Sequence, residues 1–500
     1  MIGSQASNAM CNVQCASKNI SKQVQSSDAV VCCCLWCRTK PSKELASDIL
    51  HILHSVATST SIASKNTMIS LDESISPSSN VRRTCYSLLN DPSFEEGESN
   101  SGRSVVIRSS HLDELGTRIS QSIETHGTGA LPDGSTSTSS PVDSCIDNLK
   151  FASWDEENWH YTAATYSRNG ATEEEMQAQR FERIAMYIIV MDTINFCFWP
   201  CTDTEKESLS SASGSGTKNL LEYEHLASAL KLLAEKDDAI PTNFCQPNSG
   251  GITLAEDSYV LAPQNLVNLT SESFLDMMTP LLPTIEKDTG HIYTIPNVAE
   301  RVRLLQEMAQ ALLTFHKGSA TKFISQANRS ADVLVHNILQ YFPGFRDATV
   351  DPEKGRWVAF YKRAQILVAD LWAALGSEDG DTKHGADLCN FTDMAKITTF
   401  ADYRVPQLLR GLSVLEYSPS LSKTVDNGNE VQASSMDELY IRAATVVAVD
   451  LLVENVREKV DGSTQNINAV KMDWYLWNIG EKLDREGRLA KHHCVRTIFY

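Results

Sequence analysis

Phe360-Tyr-Lys-Arg-Ala-Gln-Ile-Leu-Val-Ala-Asp-Leu-Trp372 decides the fold. Its apolar residues recur at Phe360, Ala364, Leu367 and Leu371, then Leu375, the spacing of one helix face. Lys362, Arg363 and Asp370 interrupt that pattern. Burying such charges is expensive unless they are paired or used. A second stretch, Thr399-Phe-Ala-Asp-Tyr-Arg-Val-Pro-Gln407, mixes apolar and charged residues in the same way. Pro406 lacks an N–H and clashes with the preceding turn, so it cannot sit in a helix interior. The helix through Leu408, Leu409 and Leu412 is therefore predicted to begin near Asp402 or Tyr403. Asp402 then stands at the positive end of a helix dipole, which favours its ionised form. An ionised carboxylate beside aromatic surface suits the stabilisation of a developing positive charge.

The same helical periodicity extends outward from these segments. Thr172-Glu-Glu-Glu175 opens a helix through Phe181 and Ile184, and Leu220 to Ala234 forms another. Asn297-x-x-Glu300 reads as a capping-box start for a helix reaching Phe315, and Ser319 to Tyr341 is helical up to Pro343-Gly344. Ser435-x-x-Glu438 starts a helix through Val446, Val447 and Leu451, and Ile467 to Leu483 is the last long one. No strong strand alternation or internal repeat appears, so residues 148–500 read as a mostly α domain. A Ser/Gly-rich stretch near 202–218 reads as a flexible insertion, and Asp379 to Asn390 as a polar loop.

Residues 1–147 differ in composition. Ser dominates, with runs such as Gly134-Ser-Thr-Ser-Thr-Ser-Ser-Pro141. Such composition buries too little apolar surface to offset chain entropy, so a mostly disordered extension is expected, with one short helix over Ala46 to Ala57. Cys32-Cys-Cys-Leu-Trp-Cys37, with Cys11 and Cys15, has two readings: four zinc-binding thiolates or a Cys-rich tail. The tail is preferred, because no packed scaffold surrounds the thiols.

The chain has 500 residues, a formal net charge of −19 and 42% hydrophobic residues. That charge disfavours a broad nucleic-acid footprint, which needs a basic face, while leaving a small anionic ligand possible. There are 13 Cys, an odd number, and the catalytic part shows no regular disulfide spacing, which fits free thiols and a cytoplasmic setting. Ile184 to Pro200 is apolar but short and contains Asp192 and Asn195, so it reads as a buried helix, not a membrane span. The oligomeric state is left open.

Several motifs together resemble the queuosine salvage protein family, the queuosine 5′-phosphate N-glycosidases. They are Asp192-Thr-Ile-Asn-Phe-Cys-Phe-Trp199, Phe342-Pro-Gly-Phe-Arg-Asp347, the two segments above, Asp473-Trp-Tyr-Leu-Trp477 and His493-Cys-Val-Arg-Thr-Ile-Phe-Tyr500. They occur in the family's order over roughly Phe151 to Tyr500. The resemblance implies a helical, DNA-glycosylase-like (helix-hairpin-helix-like) catalytic domain. It also implies hydrolysis of queuosine 5′-phosphate to free queuine, a small-molecule substrate with no direct nucleic-acid partner. The pattern departs at Leu221-Glu-Tyr-Glu224, where the family carries a Gly-Tyr-Trp element. The rival readings are a nucleic-acid base glycosylase and a non-catalytic queuosine-nucleotide or tRNA-binding protein.

C–N cleavage of a nucleoside needs a carboxylate near the anomeric carbon, a positioned water and help for the departing base. The resemblance favours Asp402 as that carboxylate; its bland alternative is a plain helix cap. Lys362, Arg363 and Arg404 are candidates to hold the phosphate or support the base, or else to pair with Asp370 or Asp347. Asp192 and Asn195, three apart on a helix, can read donors and acceptors of a purine-like edge, and Phe196 and Trp199 can stack on its face. An acid inside Ile188-Ile-Val-Met191 and Thr193-Ile194 needs a reason, and the cationic aminomethyl group of queuine supplies one. Tyr361 and Tyr403 are candidates for sugar or phosphate contact, and His160 for the site's edge. Asp473, Trp477, His493, Arg496 and Tyr500 read as structural. No Gly-rich phosphate loop or His-x-x-x-His pair stands out, so neither a metal nor a cofactor is expected.

Overall fold

The computed structural model describes residues 75–90, 103–126, 160–199, 221–238, 259–283, 293–376, 387–460 and 467–500. All of them belong to one compact unit spanning 68–500. The expectations for the Cys-rich stretch, for Ala46 to Ala57, for the insertion at 202–218 and for most of the polar loop after Asp379 lie outside the described residues.

The described chain is mostly helical. In order, its helices are α1 (Pro77–Leu89), α2 (Ser109–His126), α3 (Glu173–Ile194), α4 (Tyr223–Asp238), the short α5 (Pro263–Leu266) and α6 (Ser271–Met278). There follow α7 (Val298–His316), α8 (Ala320–Ser325), α9 (Ala331–Tyr341), α10 (Lys362–Leu375) and α11 (Arg404–Gly411). The last are α12 (Pro419–Asp426), α13 (Met436–Lys459) and α14 (Ala469–Arg485). Four three-residue strands, β1 (Val105–Ile107), β2 (Ala348–Val350), β3 (Trp357–Ala359) and β4 (Leu415–Tyr417), form two antiparallel pairs. β1 pairs with β4, Val105 opposite Tyr417, and β2 with β3, Ala348 opposite Ala359.

Two helices organise the core. Every residue of α3 from Arg183 to Ile194 is buried, as is every residue of α13 from Glu438 to Asp450. A helix buried on all sides needs neighbours on all sides. α3 is covered by α10, α7, α8 and α4, and α13 by α2, α1, α14 and α11. Neither contains a stretch long and apolar enough to cross a membrane, nor does any other described helix.

That need for cover corrects the expected boundary at 147. Residues 75–90 and 103–126 are part of the helical body. α1 buries Val81, Cys85 and Leu88, and α2 buries Leu112, Leu115 and Ile119, with both helices packed on α13. Polar ties fix the register. Arg82 donates to Asp450 of α13 at 2.9 Å, and the Thr84 hydroxyl accepts the Ala359 amide at 3.1 Å. The remaining residues of 1–147 lie outside the described ones.

The local starts follow the sequence in two cases and depart in two. The Thr172–Glu175 capping box forms at 3.2 and 2.9 Å, and Ser435 caps α13 through the Glu438 amide. Asn297 makes no side-chain cap; it adopts a left-handed backbone, φ 55°, and its amide donates to the Cys197 carbonyl. The single helix expected over Ser319 to Tyr341 splits into α8 and α9 because Asn328 and Arg329 take φ 47° and 62°. Ser330 then restarts the chain by capping α9.

Deleting residues 1–147 is expected to strip two covering helices from α13. The product should be insoluble or melt well below the full chain. A deletion ending at Thr67 should melt like the full chain in the same thermal scan. Equal melting of all three proteins would refute the packing role of α1 and α2.

Candidate active site

α10 begins sharply. Tyr361 takes φ 50°, and the Phe360 and Tyr361 amides both donate to the Asp347 carbonyl, at 2.9 and 3.0 Å. The Lys362 amide, first in α10, donates to Asp347 Oδ2 at 3.1 Å. Asp347 is held in turn by a two-pronged contact from Arg442 of α13, at 2.9 and 2.5 Å. The Arg442 guanidinium lies between the rings of Phe360 and Tyr500, 4.0 and 4.3 Å from their centroids. Its Nε reaches onward to the Ala401 carbonyl at 2.9 Å, one residue before Asp402.

The segment leading to Asp402 is fixed from two more directions. Gln365 of α10 accepts the Thr398 amide at 2.9 Å and donates to the Thr398 hydroxyl at 2.8 Å. Asp473 of α14 accepts the Thr399 hydroxyl and, at 2.8 Å, the Phe400 amide. Asp402 Oδ1 then accepts the Arg404 and Val405 amides at 2.9 and 3.2 Å, capping α11. Its other oxygen makes no hydrogen bond among the described residues. Asp402 is thus both the helix cap and a carboxylate with one oxygen uncommitted.

The electrostatics gather Asp402 with residues from α3, α10 and α14. Lys362 is buried, and its ammonium forms no hydrogen bond or ion pair among the described residues. Burial lowers its pKa, against the pull of Asp402 and Asp192. Burial raises Asp402, and Lys362 and the two capping amides oppose the rise. Asp192 is fully buried, and neither of its carboxylate oxygens meets a donor in hydrogen-bonding geometry. Burial lifts its pKa to about 7, while Lys362, the Asn195 amide and Arg363 favour the charged form. Asp473 is lifted to about 8 by burial and by the Asp402 charge. Asp370, two turns beyond Lys362, is raised well above the usual carboxylate range by burial and then by Asp192.

Burial and then the charges of Asp192 and Asp370 raise the hydroxyl pKa of both Tyr187 and Tyr223. Tyr223 belongs to the Leu221–Glu224 departure noted in the sequence, and its hydroxyl lies 3.0 Å from His160 Nε2. His160 therefore stands one layer behind Tyr223. Tyr403 is half-buried beside Asp402, edge-on to Trp199 with centroids 5.4 Å apart and 4.6 Å from the His492 ring. Tyr361 is buried at the head of α10.

Three expected binding residues are committed elsewhere. Arg363 donates to the Asp192 and Thr193 carbonyls, at 3.1 and 2.7 Å, and to the Gly344 carbonyl. It covers carbonyls left orphaned at the C-terminus of α3, as a cation at a helix end does. Arg404 binds Glu481 at 2.6 Å, Asp484 at 2.8 Å and Gln407 at 2.6 Å, so its fork is filled. Phe196 lies between the Arg301 and Arg363 guanidinium groups, 4.6 and 5.3 Å from its centroid, in a small cluster with Cys197, Trp199 and Leu304. All three are engaged in these internal contacts.

Arg301 was not singled out in the sequence. It is fully buried and collects the Ile194, Phe196 and Cys197 carbonyls from α7, holding the turn that presents Asn195. Glu222, Glu224 and Glu481 also bring carboxylate oxygens within 4.8 Å of one another. Arg404 binds Glu481 and Arg485 binds Glu224, so internal cations already offset that cluster.

Arg442→Met is expected to lose about 3–5 kcal/mol of stability, because it leaves Asp347 buried without its partner. Denaturant unfolding would measure it, and a change within 1 kcal/mol or so would sink the assignment. Asp192 and Asp473 carry folded-state pKa values raised above their ordinary 3.8. The folded protein then holds these protons longer than the unfolded chain does. Their favourable contribution is full below about pH 4 and is lost as pH rises through about 7 to 8. Asp192→Asn should accordingly be more stable to denaturant than the parent at pH 8, by up to a few kcal/mol, and match it near pH 4. An equal shift at both pH values would contradict the buried-acid account.

The family model described as queuosine salvage protein matches residues 174–249 and 252–500. The chain is 36% identical over 345 residues to a Dictyostelium discoideum protein named queuosine 5′-phosphate N-glycosylase/hydrolase, covering 69% of this chain and 85% of that one. It is 34% identical over 319 residues to the Sphaerobacter thermophilus protein of the same name, covering 64% and 82%. The Bos taurus protein so named is 31% identical over 324 residues, covering 64% and 82%.

Proposed function

The chain belongs to the queuosine salvage protein family, and from that premise we propose that it hydrolyses the N-glycosidic bond of queuosine 5′-phosphate. The products are queuine, available for reuse in tRNA modification, and a ribose phosphate. The enzyme is a hydrolase acting on N-glycosyl bonds. The observation that carries this reading is Asp402, a buried carboxylate with one oxygen fixed by two amides and the other uncommitted.

In the proposed chemistry the bond from the anomeric carbon to the base nitrogen lengthens, and its electron pair leaves with the base. Positive charge gathers on the sugar ring. Asp402 meets that charge with its uncommitted oxygen and needs no reorganisation, because helix α11 already holds the side chain. Water adds to the anomeric carbon and loses a proton, and the departing base gains one. Lys362 is the second catalytic candidate. Its ammonium is desolvated, faces Asp402 and Asp192 electrostatically and has no internal ion pair among the described residues, so it is free to meet the phosphate or the base. Asp192 and Asn195 are proposed to read the base. Tyr403 and Trp199 offer aromatic edges beside Asp402, and Tyr361 and His160 are peripheral.

The helical core supports the finer inference of a DNA-glycosylase-like architecture. The net charge of −19 favours a free nucleotide over a nucleic-acid strand. The free thiols Cys85, Cys197 and Cys389, all buried, are consistent with a cytoplasmic setting.

Purified protein incubated with queuosine 5′-phosphate should release queuine, read by mass spectrometry. Asp402→Asn should fold and lose turnover by roughly 10²-fold or more. A mutant that turned over like the parent would remove Asp402 from the chemistry.

A further inference from the structure

Glycine is a poor choice for the interior of a helix, where alanine is ordinarily better. Gly480 nevertheless lies inside α14 and is buried there. Its backbone does not take a positive φ, so conformational freedom is not the reason. The reason is room. A Cβ at position 480 would come 2.9 Å from Arg404 Cγ, 3.0 Å from its Cδ and 3.6 Å from its carbonyl oxygen. The first two lie well inside the ordinary carbon–carbon contact of about 3.5–4.0 Å.

Arg404 is not able to swing aside. Its Nε donates to Glu481 at 2.6 Å, and a terminal nitrogen meets Asp484 at 2.8 Å and Gln407 at 2.6 Å. Glu481 and Asp484 follow Gly480 on the same helix, so they draw the arginine stem down onto α14 where the glycine leaves space. The other end of Arg404 is fixed as well. Its amide donates to Asp402 Oδ1 at 2.9 Å, and the Val405 amide follows at 3.2 Å. Arg404 therefore bridges α14 and the Asp402 carboxylate.

We propose that Gly480 is a positioning residue for the glycosidic reaction: the missing side chain seats Arg404 against α14, and the seated Arg404 places the amide that holds Asp402. This rests on Asp402 being the reacting carboxylate. A methyl group at position 480 leaves Arg404 two responses. Its side chain gives up Glu481 and Asp484, or its backbone moves away from α14. The first is the less favourable, because it strips buried Glu481 of its closest cation. The backbone therefore moves, and the amide is drawn off Asp402. The titratable and charged groups around Asp402 are Lys362 from α10, Asp473 from α14, and Tyr403 and Arg404 beside it. None of them is replaced, so the change reaches the acid through geometry. An amide donor favours the ionised carboxylate, so weakening it makes Asp402 hold its proton to higher pH.

Gly480→Ala, Arg404→Ala and the double variant, all in the full-length protein, test this on queuosine 5′-phosphate, with Asp402→Asn alongside. Gly480→Ala should lose about 10- to 100-fold in kcat, with KM within about twofold of the parent. The acid limb of its kcat–pH profile should move to higher pH, which a purely structural role would not produce. In the Arg404→Ala background, itself impaired, adding Gly480→Ala should change kcat by no more than about twofold. Melting should show the same dependence: Gly480→Ala should lower the melting temperature of the parent but not that of Arg404→Ala. Parent-like kcat and acid limb in Gly480→Ala would overturn the proposal, as would equal losses with and without the Arg404 side chain. If Gly480→Ala does not fold, a double variant melting below Arg404→Ala would overturn it, and so would parent-like kcat in Arg404→Ala. Parent-like turnover by Asp402→Asn would instead strike the role given to Asp402, while the melting comparison would still decide whether Gly480 seats Arg404.

Discussion

The buried contact between Arg442 and Asp347 is the constraint on which the site depends. Asp347 holds the first turn of α10 through three amides, and that turn carries Lys362. Arg442 holds Asp347 with two prongs and the Ala401 carbonyl with its third nitrogen. One guanidinium therefore ties the turn that carries the lysine to the segment that carries Asp402, alongside the Gln365 hydrogen bonds to Thr398. A lysine in its place would offer a point charge without the planar fork. A buried pair is weak evidence for stability as such. Here the contact joins two segments that Gln365 and Asp473 also hold in place.

The framework and the site make opposite use of buried charge. Around Arg442, Arg301 and Arg363, nearly every guanidinium nitrogen meets a carbonyl or a carboxylate, and aromatic rings cover the faces. Asp192, by contrast, is fully buried, and both its carboxylate oxygens lack such a partner. Sites that bind and react commonly hold polar groups in a state the free protein does not favour, and the surrounding packing offsets the loss. The two fully buried helices α3 and α13 supply that packing.

How much was legible in the sequence follows from how local the signal is. Asp192, Lys362 and Asp402 stood out because each is a charge in an apolar helical context, a feature read within one window. Arg363 and Arg404 carry the same local signal, and the sequence could not separate them from Lys362. What separates them is partners 171 and 77 residues away. Arg442 and Arg301 escaped notice for the same reason, their partners lying 95 and 107 residues distant. Asp370 was read as an interruption of a helix face and as a pairing partner for the nearby cations. The early helices failed differently. Val81, Cys85 and Leu88, and Leu112, Leu115 and Ile119, do recur at helical spacing. The Ser-rich composition on either side outweighed them, and no local cue said that α13 needed cover there.

The two readings of Asp402 offered by its sequence, helix cap or reacting carboxylate, do not exclude one another. A carboxylate has two oxygens. When one accepts the Arg404 and Val405 amides, the torsions of the side chain are fixed, and the second oxygen acquires a direction. The amides also favour the charged form against the effect of burial. Capping thus works against the effect of burial on this acid and fixes the direction of its side chain. Pro406 enforces the same result from the other side. It lacks an amide hydrogen, so the first turn of α11 presents the Arg404 and Val405 donors to Asp402 and none at Pro406.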